Sequence, residues 1–229
     1  MTLTLLFALL VVALGAADEK TNLQDQEIID AIRRKSDPDV IPIDAKDPKP
    51  VQVRLENSLL YVVTADEESE VVEMIVRQRY TWRNQELAWI TIRPGLVNVT
   101  VPQRAVWSPD VAPVNSVTIQ ETLSPELVVI SSDGEITYSP QTRIGVHADL
   151  KGLESASGAK VSFTFESWTH DITKFRFEEP TSSSFSLEEF ESSRFQVSNA
   201  KVERHTRWHP SRPKLHDAQE ISFVLKKKN

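Results

Sequence analysis

Val51-Gln52-Val53-Arg54-Leu55-Glu56 alternates apolar and polar residues with a period of two, and this run decides the fold class. In an extended strand successive side chains point to opposite faces, so Val51, Val53 and Leu55 share one side while Gln52, Arg54 and Glu56 share the other. The pattern continues through Leu59-Leu60-Tyr61-Val62-Val63 and from Val71 to Trp82, with the polar turn Asp66-Glu67-Glu68-Ser69-Glu70 between them. Further strands are expected around Ala88 to Ile92, Val114 to Thr122, Leu127 to Ser131, Glu135 to Tyr138, Gln141 to Ala148, Val161 to Trp168, Lys174 to Glu178, Phe195 to Thr206 and Gln219 to Lys227. About ten short strands at this spacing, with Gly and Pro mainly at the turns, predict an all-β, immunoglobulin-like twisted β-sandwich.

Ahead of the strands the period changes. Leu23, Ile28, Ile29 and Ile32 fall on one helical face between Asn22 and Lys35, acidic residues come early, and Arg33-Arg34-Lys35 ends the segment in the polarity that suits a helix dipole. Ser36-Asp37-Pro38-Asp39 then breaks it. Earlier still, Thr2 to Ala17 carries no charge and holds the apolar run Leu5 to Leu14, which suits a signal peptide over residues 1–17 and is too short to span a bilayer. The expected mature chain, residues 18–229, is long enough for one sizeable β domain. A formal net charge of −7 argues against nucleic acid or an anionic membrane as a partner of the whole molecule.

The chain has no cysteine, so a secreted protein of this sequence relies on its core and on subunit contacts instead of disulfides. Asn98-Val99-Thr100 is a glycosylation sequon, with Asn98 as the acceptor. No Gly-x-Ser-x-Gly, Gly-rich phosphate loop or nucleophilic cysteine is present, and an enzyme is not expected. His205 and His209 lie at even spacing and, with His216, raise a metal site that no carboxylate pattern supports. No metal and no cofactor are therefore assigned.

Three motifs carry a resemblance: Trp107-Ser108-Pro109-Asp110, the turn Ser132-Asp133-Gly134-Glu135, and Ser167-Trp168-Thr169-His170-Asp171. In this order and spacing they resemble the extracellular ligand-binding domain of pentameric neurotransmitter-gated receptors, and most closely the soluble acetylcholine-binding proteins. The segment Arg34 to Pro42 is similar to the same proteins, which begin with one helix and a proline-containing lead into the first strand. The resemblance implies a secreted homopentamer with small-ligand pockets between subunits. It also implies no pore and no membrane insertion, because the sequence ends at Lys226-Lys227-Lys228-Asn229, where receptors of the family begin their pore helices.

Within this resemblance Trp168 stands at the aromatic position that faces the ligand's quaternary ammonium, where cation–π attraction is worth about 2 kcal/mol once the cation is desolvated. Trp82, Trp89 and Trp107 read as packing residues. The rest of the family's aromatic cage is replaced. Val114 falls on one tyrosine position and Arg77 on a tryptophan position. In the segment Arg204 to His216, Trp208 or His209 stands at the first tyrosine and His216 at the second, with no cysteine pair. Val129, Thr137 and Ser139 fall, with Arg77, on the complementary side of the pocket. Ala148 and Val161 occupy the positions of the family's bridged cysteines. Two readings follow: a small-molecule binder of acetylcholine-like cations or, given Arg77 and the basic hairpin, of anions; or a structural pentamer that has lost its ligand.

Overall fold

The computed structural model describes residues 25–90 and 97–228, so the expected signal peptide lies outside the described residues. Helix α1 covers 25–35 and buries Ile32, with Ile28 and Ile29 packed on the core. Thirteen strands follow among the described residues: β1 (Val51–Asp66), β2 (Val71–Arg83), β3 (Asn98–Pro102), β4 (Val111–Pro113), β5 (Glu121–Thr122), β6 (Leu127–Ser131), β7 (Glu135–Tyr138), β8 (Gln141–His147), β9 (Ala159–Ser167), β10 (Phe175–Phe177), β11 (Phe185–Ser186), β12 (Phe195–His209) and β13 (Arg212–Lys227).

Nine of these form one sheet, which runs β10-β1-β2-β7-β6-β3 with β8, β5 and β11 joined at its side, and the other four form a second sheet in the order β12-β13-β9-β4. The alternation at the start of β1 buries Val51, Val53 and Leu55 as its period predicts. The doublet Leu59-Leu60 is where this parity changes. A register irregularity between Leu59 and Tyr61 buries both leucines, and Val62 then continues inward from the shifted phase. From the opposite sheet Val161, Phe163 and Phe165 of β9 and Ile221, Phe223 and Leu225 of β13 face the same core. Phe163 meets Phe165 and Phe223 edge-on, with ring centroids 5.4 and 6.3 Å apart.

Polar groups also join the two sheets. Buried Gln219 of β13 donates from Nε2 to the Leu55 carbonyl of β1 at 3.0 Å, and buried Asp217 accepts the Phe177 amide of β10 at 2.6 Å. Each satisfies a backbone group that a sheet edge would otherwise leave unpaired inside the protein.

Two expected strands are corrected. Ala88 to Ile92 is no strand in its described part: a single helical turn, Gln85–Leu87, ends there, with Asn84 Oδ1 capping the Glu86 amide. Val114 to Thr122 is mostly loop between β4 and β5. The cause is Asn115, whose side chain donates to the Ser162 carbonyl and accepts the Thr164 amide, so a side chain takes the place of strand backbone beside β9. The connection after β9 also departs from a purely antiparallel sandwich, since the short β10 and β11 both pair in parallel with β1.

The turn at Asp133 follows its sequence closely. Gly134 has φ +83°, and a Cβ there would sit 2.5 Å from the Asn84 carbonyl oxygen. The Ser131 hydroxyl, first of all, holds the Asp133 carboxyl below the usual carboxylate range, with the Glu135 amide adding to it.

Candidate functional site

The first and third of the quoted motifs touch each other. Asp110, at the end of Trp107-Ser108-Pro109-Asp110, accepts the Ser167 hydroxyl through Oδ1 and both the amide and hydroxyl of Thr169 through Oδ2, at 2.5, 2.7 and 2.6 Å. Its carbonyl accepts the Trp168 amide at 3.0 Å. The segment that follows β9 is thereby fixed on both sides of Trp168, while the indole itself is 63% exposed. Behind it, Trp107 packs edge-on against Trp82 with centroids 6.2 Å apart. Trp82 and Trp107 are buried and Trp89 packs on the core, as packing residues should.

Trp168 stands over an open cleft of about 660 Å³ on the outer face of the four-stranded sheet. Val114 and Asn115 line it from the loop after β4, Ser162 and Thr164 from β9, His205, Arg207 and His209 from β12, and Arg212 and Glu220 from β13. Strand alternation explains the set: residues 162 and 164 point away from the core that 161, 163 and 165 fill.

Glu166 shares that outer face and is fully buried under the hairpin. His209 Nε2 lies 2.8 Å from its Oε2, Arg212 Nη2 lies 3.6 Å from the same oxygen, and Arg207 Nη1 lies 2.9 Å from Oε1. A buried carboxylate needs such partners, because an unpaired one would change its protonation instead. Arg212 has a further role. Its guanidinium carbon lies 5.7 Å from the centroid of the Trp168 ring, and Nη1 donates to the Trp168 carbonyl at 3.0 Å.

Of the residues read from the sequence, Val114, Trp168 and His209 come together at this cleft. Trp208 does not line it and is 59% exposed, whereas His209 does line it. His216 is 3% exposed; it lies beneath the hairpin with its ring centroid 5.9 Å from that of His209. Burial first, and Arg212 next, depress the His216 pKa below its ordinary value. Nearby Asp171 feels an upward push from burial that hydrogen bonds from Lys214 and Thr173 outweigh, and its carboxyl is held well below the usual range. Among the described residues no group of three or more His, Asp or Glu is placed to hold a metal ion.

Arg77, Val129 and Thr137 lie elsewhere, on the larger sheet, and Ser139 lies in the turn between β7 and β8. Thr137 pairs with Thr81 of β2 and Val129 of β6, and the solvent-facing side carries Val129 and Ser139 exposed with Arg77 and Thr137 half-buried. Arg77 forms an ion pair with Glu189, Nη1 to Oε1 2.5 Å. Asn98 is exposed at the start of β3. The sequence motifs do not single out Glu166, Arg207 and Arg212, which the fold brings together beside Trp168. The available signal was a charged residue immediately before Ser167-Trp168, in a strand whose hairpin partners are rich in arginine.

A family model for the neurotransmitter-gated ion-channel ligand binding domain matches residues 25–151. The chain belongs to this family. Among curated relatives, the neuronal acetylcholine receptor subunit eat-2 of Caenorhabditis elegans is 27% identical over 173 residues, 74% of this chain and 36% of the relative. The acetylcholine receptor subunit alpha-type acr-16 of Caenorhabditis briggsae is 28% identical over 188 residues, 80% of this chain and 36% of the relative. The chain thus spans about a third of the length of the curated relatives it matches. The crystal structure of AChBP from Bulinus truncatus superposes with a TM-score of 0.81 at 27% identity, covering 89% of this chain and 98% of that one. In this neurotransmitter-gated ligand-binding domain, Asp110 clamps the Trp168 segment, and the cleft beside it is lined mainly by polar and charged side chains.

Proposed function

We propose that the chain is a secreted small-ligand-binding protein of the AChBP kind, a homopentamer with altered pockets at its subunit interfaces. The observation that carries this reading is the division of its site residues. Trp168, Val114 and His209 open on one sheet, and Arg77, Val129 and Thr137 lie on the outer face of the other, with Ser139 in the turn after Thr137. Two half-sites on different faces of one chain join when like subunits meet head to tail, the arrangement that closes into a ring. The likeness to AChBP over nearly all of that chain supports a binding domain of the same kind. Among the described residues no helix is long and apolar enough to cross a membrane.

Sedimentation of the mature protein tests the assembly, and a tryptophan-fluorescence titration with acetylcholine, nicotine and small carboxylates tests the pocket. A pentamer with a saturable change that weakens in Trp168→Phe is the expected result; a monomer, or a flat response to every compound, overturns the reading. The contact of Arg212 on Trp168 favours a second reading, a structural pentamer that no longer binds ligand, because the aromatic face already holds a cation. A pentamer with a flat response is the outcome that reading requires.

A further inference from the structure

The exposed indole of Trp168 is already engaged by a cation of the same chain. Arg212 lies 5.7 Å from the ring centroid, within the distance at which the ring quadrupole attracts a cation. Three contacts position it: the donation from Nη1 to the Trp168 carbonyl at 3.0 Å, a longer one to the Ser167 carbonyl at 3.5 Å, and the charge of Glu166 at 3.6 Å. Glu166 also faces Arg207, so one carboxylate meets two guanidinium groups. Its third neighbour is His209. Two guanidinium groups stand against the one carboxylate of Glu166, and both arginines line the cleft that Trp168 borders.

The opposite charge sits at the other end. Glu220 lines the same cleft and pairs across β13 and β9 with Thr164, one step along the strand from the Ala218–Glu166 pair. That two-residue step separates the two ends by about 7 Å of strand. The cleft is thus basic beside Trp168 and acidic beside Thr164.

Resting on the proposed binding function, we infer that Arg212 is a specificity-determining residue, and that the pocket takes a small carboxylate or zwitterion whose acid group meets Arg207 and Arg212. A simple quaternary amine has to displace Arg212 from Trp168 and gains no new cation–π contact by doing so. A carboxylate leaves that contact in place and adds charge-assisted hydrogen bonds to the arginine pair. The amino end of a zwitterion is accommodated toward Glu220.

Glycine betaine and choline separate these cases, since both carry a trimethylammonium group and only betaine carries a carboxylate. Titrated against the assembled protein by tryptophan fluorescence, betaine should bind about tenfold or more tighter than choline, the effect of one charge-assisted hydrogen-bonded contact. Arg212→Gln, which keeps a donor for the Trp168 carbonyl and removes the charge, should lose that preference and tighten choline; Arg212→Ala should do the same more strongly. Equal binding of both probes by the wild-type protein overturns the assignment of Arg212 and leaves the binding function standing, as does an unchanged preference in folded Arg212 variants. The wild-type comparison decides the matter even where a variant does not fold. A flat response to both probes and to the wider panel, in wild type and variants alike, overturns the binding function and this inference with it.

Discussion

At the scale of single residues, Asp110 shows how a short motif acquires meaning. Its carboxylate accepts three hydrogen bonds from Ser167 and Thr169, and its carbonyl accepts a fourth from Trp168. Aspartate suits the position because an ionised carboxylate accepts several donors at once. Asp110→Ala removes the charged acceptor and leaves the donors of Thr169 to solvent, at a cost of about 2 kcal/mol. A urea-unfolding midpoint checks this, accompanied by a change in Trp168 emission as its segment loosens; an unaltered midpoint and spectrum would show that the clamp does not hold the segment. Val114 could be singled out in the sequence because it closely follows this motif, and Trp168 because it lies inside a motif of its own, Ser167 to Asp171. Glu166 could not, since a glutamate in a strand is ordinarily solvated, and only the fold of the hairpin over it makes it a buried counter-ion.

At the scale of elements, two segments replace what other chemistry supplies elsewhere. Ala148 opens the loop between β8 and β9 and Val161 lies just beyond it within β9, and both are buried in the core without a bridge. Leu150 and Leu153 are inserted into the same core, and the Leu153 carbonyl accepts the Lys227 amide of β13 at 3.0 Å. Apolar anchors thus fix a loop that has no disulfide to close it. Leu153→Ala should lower stability by about 2–5 kcal/mol through lost burial and a residual cavity. Chemical denaturation measures the loss, and a change well below 1 kcal/mol would mean that the loop is held by other contacts.

The hairpin of β12 and β13 carries the second element-scale prediction. His216 is buried beneath it among Arg212, His209, Glu166 and Asp171, and its folded pKa lies below the ordinary 6.5. In that interval the unfolded chain binds a proton that the folded protein refuses, so stability falls as pH drops below about 6.5 and levels once the folded group protonates too. Thermal unfolding across pH 7.5 to about 5 should show this decline, and His216→Gln should flatten it. An equal slope in wild type and variant would assign the decline to other groups.

For the whole molecule, the junction between the sheets is the decisive feature. The facing apolar rows of β1, β2, β9 and β13 supply most of the burial, but Gln219 and Asp217 cross the interior to backbone groups of β1 and β10. Gln219→Leu keeps the apolar volume and leaves the Leu55 carbonyl without its partner, which costs about 1–3 kcal/mol. Calorimetric melting of the intact protein reads the loss; a variant as stable as wild type would show that the crossing bond contributes no net stability.

The sequence by itself determined the β architecture, the single leading helix and the family. The first two depend on short-range order, a period of two in β1 and β2 and a helical period ahead of them, and the family rests on three short motifs between Trp107 and Asp171 in their order and spacing. What only the tertiary structure decided was the character of the cleft. The paired strands turn His209 toward the cleft, leave Trp208 exposed, send His216 inside, and bring Arg212 onto Trp168 across 44 residues of chain. The physical reason is that strand alternation fixes which face a residue takes, whereas the partners it meets there are set by cross-strand register and hairpin curl, and neither is written in the local pattern.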